Sequence, residues 1–364
     1  MTTPPTGTTT LPPEDALEAQ AEAARVLVRA AVQGRVLSYE EACAVFTALG
    51  AGLLSDIETA ALLAALHARG ESADELAGAA SAFRSAARPF PEVSGPLLDI
   101  VGTGGDGVGT INISTGAGIT AASMGLAVAK HGNRAVSSRT GAADVIGALG
   151  LPLELTPEQS ARMLEEVGFT FLFAQAYHPA MRFVAPVRAA LRTPTVFNLL
   201  GPLINPAHLS MQVMGVADAT KMDMIARSLQ RLGRERALVI HGLGLDEITV
   251  HGATTVQEVT PEGIRSFTVT PEELGVPTRD LSEMLGGAPA ENAVLLREVF
   301  ENRGRAGHRD AIAVNAGALL YLAGRVDTLR EGTEAALEQL VSGRVAEHLD
   351  RVVARSAPAD EALD

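Results

Sequence analysis

The sequence holds a single cysteine, Cys43, among 364 residues. That excludes an intrachain disulfide framework and fits a reducing compartment. Cys43 itself reads as a small apolar residue on a helix. Basic residues are in deficit: 29 Lys and Arg stand against 43 Asp and Glu, a formal net charge of −14. Such a chain lacks the positive field by which general binders hold nucleic acid or anionic membranes, so neither is an expected partner. Any anionic ligand must be held by a local arrangement. Apolar runs are also short, each interrupted by charge or glycine before the ~18 apolar residues of a membrane span. The opening MTTPPTGTTTLPPEDA has neither the basic nor the apolar region of a secretory signal, and its Thr and Pro content opposes packing. Residues 1–16 therefore read as a disordered tail on a cytoplasmic protein. Solenoid-type repeats are absent.

What is present is apolar material, 47% of all residues, enough for a sizeable core. Residues 15–88 read as a helical unit. Ser38 with Glu41, Ser55 with Glu58 and Ser72 with Glu75 stand at capping-box spacing, while Gly34, Gly50 and Gly70 supply left-handed stops. Four helices are expected, and their apolar face, widened by Leu53, Leu54, Leu62, Leu63 and Leu66, needs a cover. The cover is the rest of the chain or a second copy. Beyond Pro91, apolar runs at 96–101, 126–129, 169–174, 212–217 and 237–241 alternate with helical segments at 114–123, 142–149, 157–167 and 220–232. This predicts an α/β fold, a small helical domain plus a larger α/β domain with a mostly parallel central sheet. TTVQEVTPEGIRSFTVTP reads as an antiparallel edge hairpin. Helices over 290–302 and 308–355, the second broken near Gly324 and Arg325, close the chain.

Five glycines crowd residues 102–109. Gly102, Gly104 and Gly107 satisfy G-x-G-x-x-G, but Gly107 opens no helix and no acid follows at the distance that a ribose hydroxyl requires. A Walker A loop fails too, since no Lys-Ser or Lys-Thr pair follows. What remains is an anion cradle: Gly104 to Gly109 turn backbone N–H groups toward a ligand, and Asn112, Ser114 and Thr115 add donors at a helix N-terminus. Two phosphate groups fit it better than one. KHGNRAVSSRTGAAD, residues 130–144, emerges at the same sheet edge as a second wall. There Lys130 and Arg134 can neutralise phosphate, Ser137 and Ser138 can donate to it, and Asn133 can read an amine or carboxylate. In HGLGLDEIT, adjacent Asp246 and Glu247 are oxygen ligands of the kind Mg²⁺ takes beside phosphate. His67 reads as structural; His208, His251 and His308 read as loop or surface residues. NLLGPLINPA reads as a packed turn that places Asn198 near a domain junction.

Taken together, DIVGTGGDGVGTINIST, AKHGNR, SSRTGAADVIGALG, YHPAMRFVAPVR, FNLLGPLINPA and GLDE resemble the anthranilate phosphoribosyltransferase family, over about residues 17–350. The resemblance implies transfer of the phosphoribosyl group of phosphoribosyl pyrophosphate (PRPP) to the amine of anthranilate in tryptophan biosynthesis, with release of pyrophosphate. It implies that Gly102, Gly105, Asp106, Thr110, Asn112, Ile113, Ser114, Thr115, Lys130, His131, Gly132, Asn133, Arg134, Ala135, Val136, Ser137, Ser138 and Ala142 line the substrate site. Ser114, Asp246 and Glu247 would hold Mg²⁺, and His178 and Arg188 would face anthranilate, with Arg188 on its carboxylate. No catalytic base is implied, although Lys130 and His131 are candidates for charge and proton handling. The resemblance further implies a homodimer through the helical domain. It makes that domain discontinuous, residues 17–88 with 178–196, against a PRPP-binding domain of 89–177 with 197–355. Thr140 and Ala142 depart from the hydroxyl residues frequent in the family. A nucleoside phosphorylase would share the glycine loop, but the Asp246–Glu247 pair favours a pyrophosphate leaving group; a nucleic-acid-binding relative would need a basic face.

Overall fold

A computed structural model describes residues 14–135 and 140–357. Most of the expected tail lies outside these residues, but its last three begin the first helix. Four helices open the fold: α1 (Glu14–Val32), α2 (Tyr39–Gly50), α3 (Asp56–Arg69) and α4 (Ala73–Ser85). All three capping boxes form, with Ser38, Ser55 and Ser72 exchanging hydrogen bonds with Glu41, Glu58 and Glu75. Gly34 and Gly70 take positive φ as expected (85° and 89°), whereas Gly50 does not. The left-handed stop after α2 is Gly52 at φ 74°, where an added Cβ would also collide with the Phe183 ring.

The sheet follows. Strands β1 (Leu97–Gly102), β2 (Ala127–Gly132), β3 (Phe169–Phe173), β4 (Met211–Gly215) and β5 (Arg236–His241) are parallel, and the hairpin β6 (Thr254–Thr260) and β7 (Gly263–Val269) completes the order β3-β2-β1-β4-β5-β6-β7. Between them run α5 (Ile113–Ser123), α6 (Ala142–Ala148), α7 (Pro157–Val167), α8 (Ala174–Tyr177), α9 (Ala185–Leu191), α10 (Phe197–Leu200) and α11 (Met222–Arg231). After the hairpin come α12 (Pro289–Phe300), α13 (Ala306–Leu322), α14 (Leu329–Val341) and α15 (Arg344–Ser356). The helical stretch expected over 308–355 is thus three helices rather than two. Gly343, at φ 75°, makes the second break inside a pattern that stays amphipathic on both sides.

One face of the sheet, with Ile100, Val128, Val213 and Leu238, packs under α5 and α12 to α15. The other face, with Met214 and Val239, shares one apolar cluster with α11, with Leu62 and Phe83 of the opening helices, and with Ala180, Val184 and Val187. Chain order reverses at β1, whose neighbours are β2 on one side and β4 on the other. Such a switch point opens a crevice at the carboxyl ends of the strands, and the glycine-rich segment leaves β1 at that place. Among the described residues no helix is long and apolar enough to cross a membrane.

Candidate active site

The cradle forms as the glycines dictate. Gly104, Gly105, Gly107 and Gly109 all take φ between 70° and 84°, a region that side-chain-bearing residues rarely adopt, and the space beside each is open. Two of its N–H groups are engaged by acids: Gly104 N donates to Asp246 Oδ2 at 2.7 Å and Val108 N to Asp106 Oδ1 at 3.2 Å. Asn112 stands at the N-cap of α5, and Thr115, one turn in, is fully buried with a hydroxyl that lacks a partner.

Gly102 serves a second purpose. In the parallel register it sits opposite Gly215, and an added Cβ at either position would overlap Asp246, on its carboxylate from Gly102 and on its backbone carbonyl from Gly215. The paired glycines form the slot into which Asp246 fits. Glu247 beside it accepts from Ser114 N at 3.2 Å. Burial, reinforced by Asp106, pushes the Asp246 carboxyl up to about 6, and burial reinforced by Asp246 pushes Glu247 well above the usual carboxylate range. Lys130 is the facing cation. It is almost completely buried, its Nζ donating to Ile100 O at 2.6 Å and Ser114 Oγ at 3.1 Å, with burial lowering its pKa against the attraction of Asp99, Glu247 and Asp246. Lys130 therefore lies beneath the cradle and orients Ser114.

Acids thus outnumber cations at the head of an anion cradle, an arrangement that a divalent cation between carboxylate and phosphate oxygens would balance. Among the described residues no group of three or more His, Cys, Asp or Glu converges as a metal site by itself. Mg²⁺ beside phosphates needs only one or two protein carboxylates, so the Asp246–Glu247 pair with the Ser114 hydroxyl is a sufficient donor set.

The second wall is shaped by a residue that the sequence reading passed over, Asp144. Its carboxylate accepts from Ala135 N and Gly141 N, both at 3.0 Å, and from Arg134 Nη1 at 3.3 Å. Arg134 also stacks over the Phe173 ring, while Asn133 is exposed and its Oδ1 accepts from Arg134 N. Gly132 and Ala142 lie side by side at the base of the wall, and Ile113, at the start of α5, is buried. Val136, Ser137 and Ser138 lie outside the described residues. Only the Gly141-to-Asp144 capping spacing could have pointed to Asp144.

His131 and His178 meet behind this wall, Nε2 to Nε2 at 3.2 Å, and both are buried. Gly201 O, 3.2 Å from His131 Nδ1, can only accept, so His131 carries its proton there and its Nε2 accepts from His178. Burial drops His178 to about 4, against nearby carbonyls of Phe83 and Ile204 that favour the charged ring, and holds His131 well below its ordinary value. Both rings are neutral at physiological pH. Arg188, on α9, stacks over Phe197, and burial lowers its pKa. No carboxylate of the described residues pairs with it.

His308 was misread in the sequence, and Asn205 and Asn292 went unnoticed there. Asn198 is exposed; the residue that fixes the NLLGPLINPA turn is Asn205, fully buried, whose Nδ2 donates to Asp99 Oδ2 at 2.9 Å and Ala129 O at 2.8 Å. Burial raises Asp99 to about 6 despite Lys130 close by. His308 is fully buried and its Nε2 donates to Leu285 O at 3.0 Å, because α13 turns it inward beneath the loop after the single helical turn of residues 281–284. That loop runs against the cradle: Ile111 N donates to Met284 O and Gly286 N to Gly109 O, both at 3.0 Å, and Asn292 Nδ2 donates to Asn112 Oδ1 at 2.9 Å. Thr140 donates to Gly287 O at 2.7 Å, so its hydroxyl ties the second wall to the same loop.

With this geometry in place, comparison with known proteins gives consistent matches. The glycosyl transferase family α/β domain matches residues 94–346, and the helical bundle domain of the same family matches residues 25–87. The anthranilate phosphoribosyltransferase of Corynebacterium efficiens is 52% identical over 311 residues, 85% of this chain and 91% of that protein. The crystal structure of the Thermus thermophilus anthranilate phosphoribosyltransferase superposes with a TM-score of 0.86 at 49% identity, covering 91% of this chain and 99% of that one. The Saccharomyces cerevisiae enzyme in complex with PRPP and Mg superposes with a TM-score of 0.82 at 28% identity, covering 94% of this chain and 98% of that one. Both parts of the chain, the helical bundle and the α/β domain, thus match one group of proteins: the chain belongs to this glycosyl transferase family, among the anthranilate phosphoribosyltransferases.

Proposed function

We infer that the crevice at the ends of β1 and β4 carries the family's reaction: transfer of the phosphoribosyl group of PRPP to the amine of anthranilate, giving N-(5-phosphoribosyl)anthranilate and pyrophosphate. The observation that carries this reading is the acid pair seated behind a phosphate cradle. In it, Gly105, Asp106, Thr110, Asn112 and Thr115 surround the pyrophosphate of PRPP, with residues 132–135 on its far side. Asp246, Glu247 and Ser114 would hold Mg²⁺, which would supply positive charge to offset that of the departing pyrophosphate. The amine nitrogen forms a bond to C1 as the C1–O bond breaks, the electron pair leaves on pyrophosphate, and the nitrogen sheds a proton. Both His131 nitrogens are already engaged, so we give that proton to water and assign His131 and His178 to shaping the acceptor pocket.

Residues 17–88 with 178–196 form the body that carries the acceptor, and 89–177 with 197–355 the body that carries PRPP. Closure about residues 88–91 and the NLLGPL segment would exclude water from the activated sugar. A second copy of the chain is the cover we propose for exposed Val26, Val32 and Ile57 on the opening helices and Val36 between the first two, a state that sedimentation reads directly. The cytoplasm is the proposed location.

The acceptor assignment rests on Arg188, whose planar fork suits a carboxylate and whose charge lacks an acidic partner among the described residues. Arg188→Lys keeps the charge and loses the paired bonds, so the KM for anthranilate is expected to rise about tenfold with that for PRPP unchanged. A KM for anthranilate that stays put under steady-state measurement removes Arg188 from the pocket.

A further inference from the structure

Asn292 has no counterpart among the residues read as site residues, yet it is buried in the first turn of α12 directly behind the cradle. Its amide has a fixed sense. Gly287 N donates to Asn292 Oδ1 at 2.7 Å, which turns the Asn292 NH₂ toward Asn112 Oδ1 at 2.9 Å. Asn112 must then use its carbonyl oxygen on Asn292, and its own NH₂ faces away with no partner among the described residues. The approach is tight, since an added Cβ at Gly286 would overlap the Asn292 amide. The supporting loop is itself held at both ends, by His308 on Leu285 O and by Thr140 on Gly287 O.

We propose that Asn292 is a positioning residue for PRPP: through this relay it forces Asn112 to present donors only, never its carbonyl, to the pyrophosphate. The inference rests on the reading of Asn112 as a PRPP ligand. Asn292→Asp preserves the bond from Gly287 N but replaces the donor by an acceptor. Asn112 then turns its NH₂ to the new carboxylate and its carbonyl to the anion.

The test is the steady-state KM for PRPP and for anthranilate at pH 8, with thermal melting to establish folding. Loss of a bond to a charged ligand predicts a KM for PRPP raised about 10- to 100-fold at pH 8, with that for anthranilate unchanged. The effect is confined to the KM for PRPP if the relay acts on the anion, whereas a merely loosened loop would lower the melting temperature and disturb both substrates. A folded variant with unchanged KM for PRPP, or with an equal rise for both substrates, overturns the proposal. Should the variant not fold, Asn292→Ala carries the test: Asn112 is released to turn, a rise of about threefold supports the relay, and no rise overturns it. Asn112→Ala separates the two layers. If it leaves PRPP binding intact, the underlying reading fails and the relay with it; if it weakens binding while Asn292→Asp does not, the relay alone fails.

Discussion

Replacing Glu247 by Gln is expected to lower kcat/KM by about 10³, roughly 4 kcal/mol of transition-state stabilisation, while making the protein harder to unfold. The two effects have one cause. Glu247 is buried beside Asp246, and only Lys130 and the N–H of Ser114 oppose its charge. A carboxyl whose pKa is raised on folding holds its proton more tightly in the folded state, so its cost to stability grows as pH rises above the unfolded value, is full only above the raised folded value, and is gone below the unfolded one. Gln removes that cost and should add about 1 kcal/mol at pH 7.5 without metal. It also removes one of the two carboxylates proposed to hold Mg²⁺ beside pyrophosphate. Denaturant melts with and without Mg²⁺, paired with initial rates, separate the contributions. A variant that is less stable and equally active would make Glu247 a structural residue.

Gly215→Ala is expected to be nearly as damaging without touching any charge. The added methyl would overlap the Asp246 carbonyl, a backbone atom that cannot rotate away, so the acid pair must move. Shifts of about an ångström at a reacting centre cost on the order of 10²-fold in rate, and overpacking costs about 1–3 kcal/mol of stability. Gly147→Ala is the control. Gly147 lies inside α6 with nothing near its missing side chain, so alanine there should stabilise by about 0.5–1 kcal/mol and leave the rate alone. Equal rates for the two variants would mean that the Gly102–Gly215 slot does not position Asp246.

Local signals in the sequence carried far. The capping boxes at Ser38, Ser55 and Ser72 and the positive-φ cradle at Gly104 to Gly109 are short-range features, and each stands where the residues put it. Features that depend on register or on facing elements did not show. The Gly102–Gly215 slot needs the β1–β4 pairing, and the burial of His308 and Asn292 needs α12 and α13 to fold back on the glycine loop. Lys130 looks like a strand-end cation in one dimension; three carboxyls from the strand β1 and the turn after β5 draw it inside. The second break in the final helices was missed because a single Gly343 interrupts an otherwise continuous amphipathic pattern.

The central claim is that Asp246 and Glu247 act through a divalent cation on PRPP held in the glycine cradle. The measurement that reaches it most directly is the loss of anthranilate fluorescence on adding PRPP to purified protein, run with Mg²⁺ and again with excess chelator. Consumption that requires both PRPP and Mg²⁺, and that the Glu247→Gln variant slows about 10³-fold at saturating metal, is the predicted result. Consumption that continues unchanged in chelator would contradict it, and the acid pair would then serve the fold rather than the leaving group.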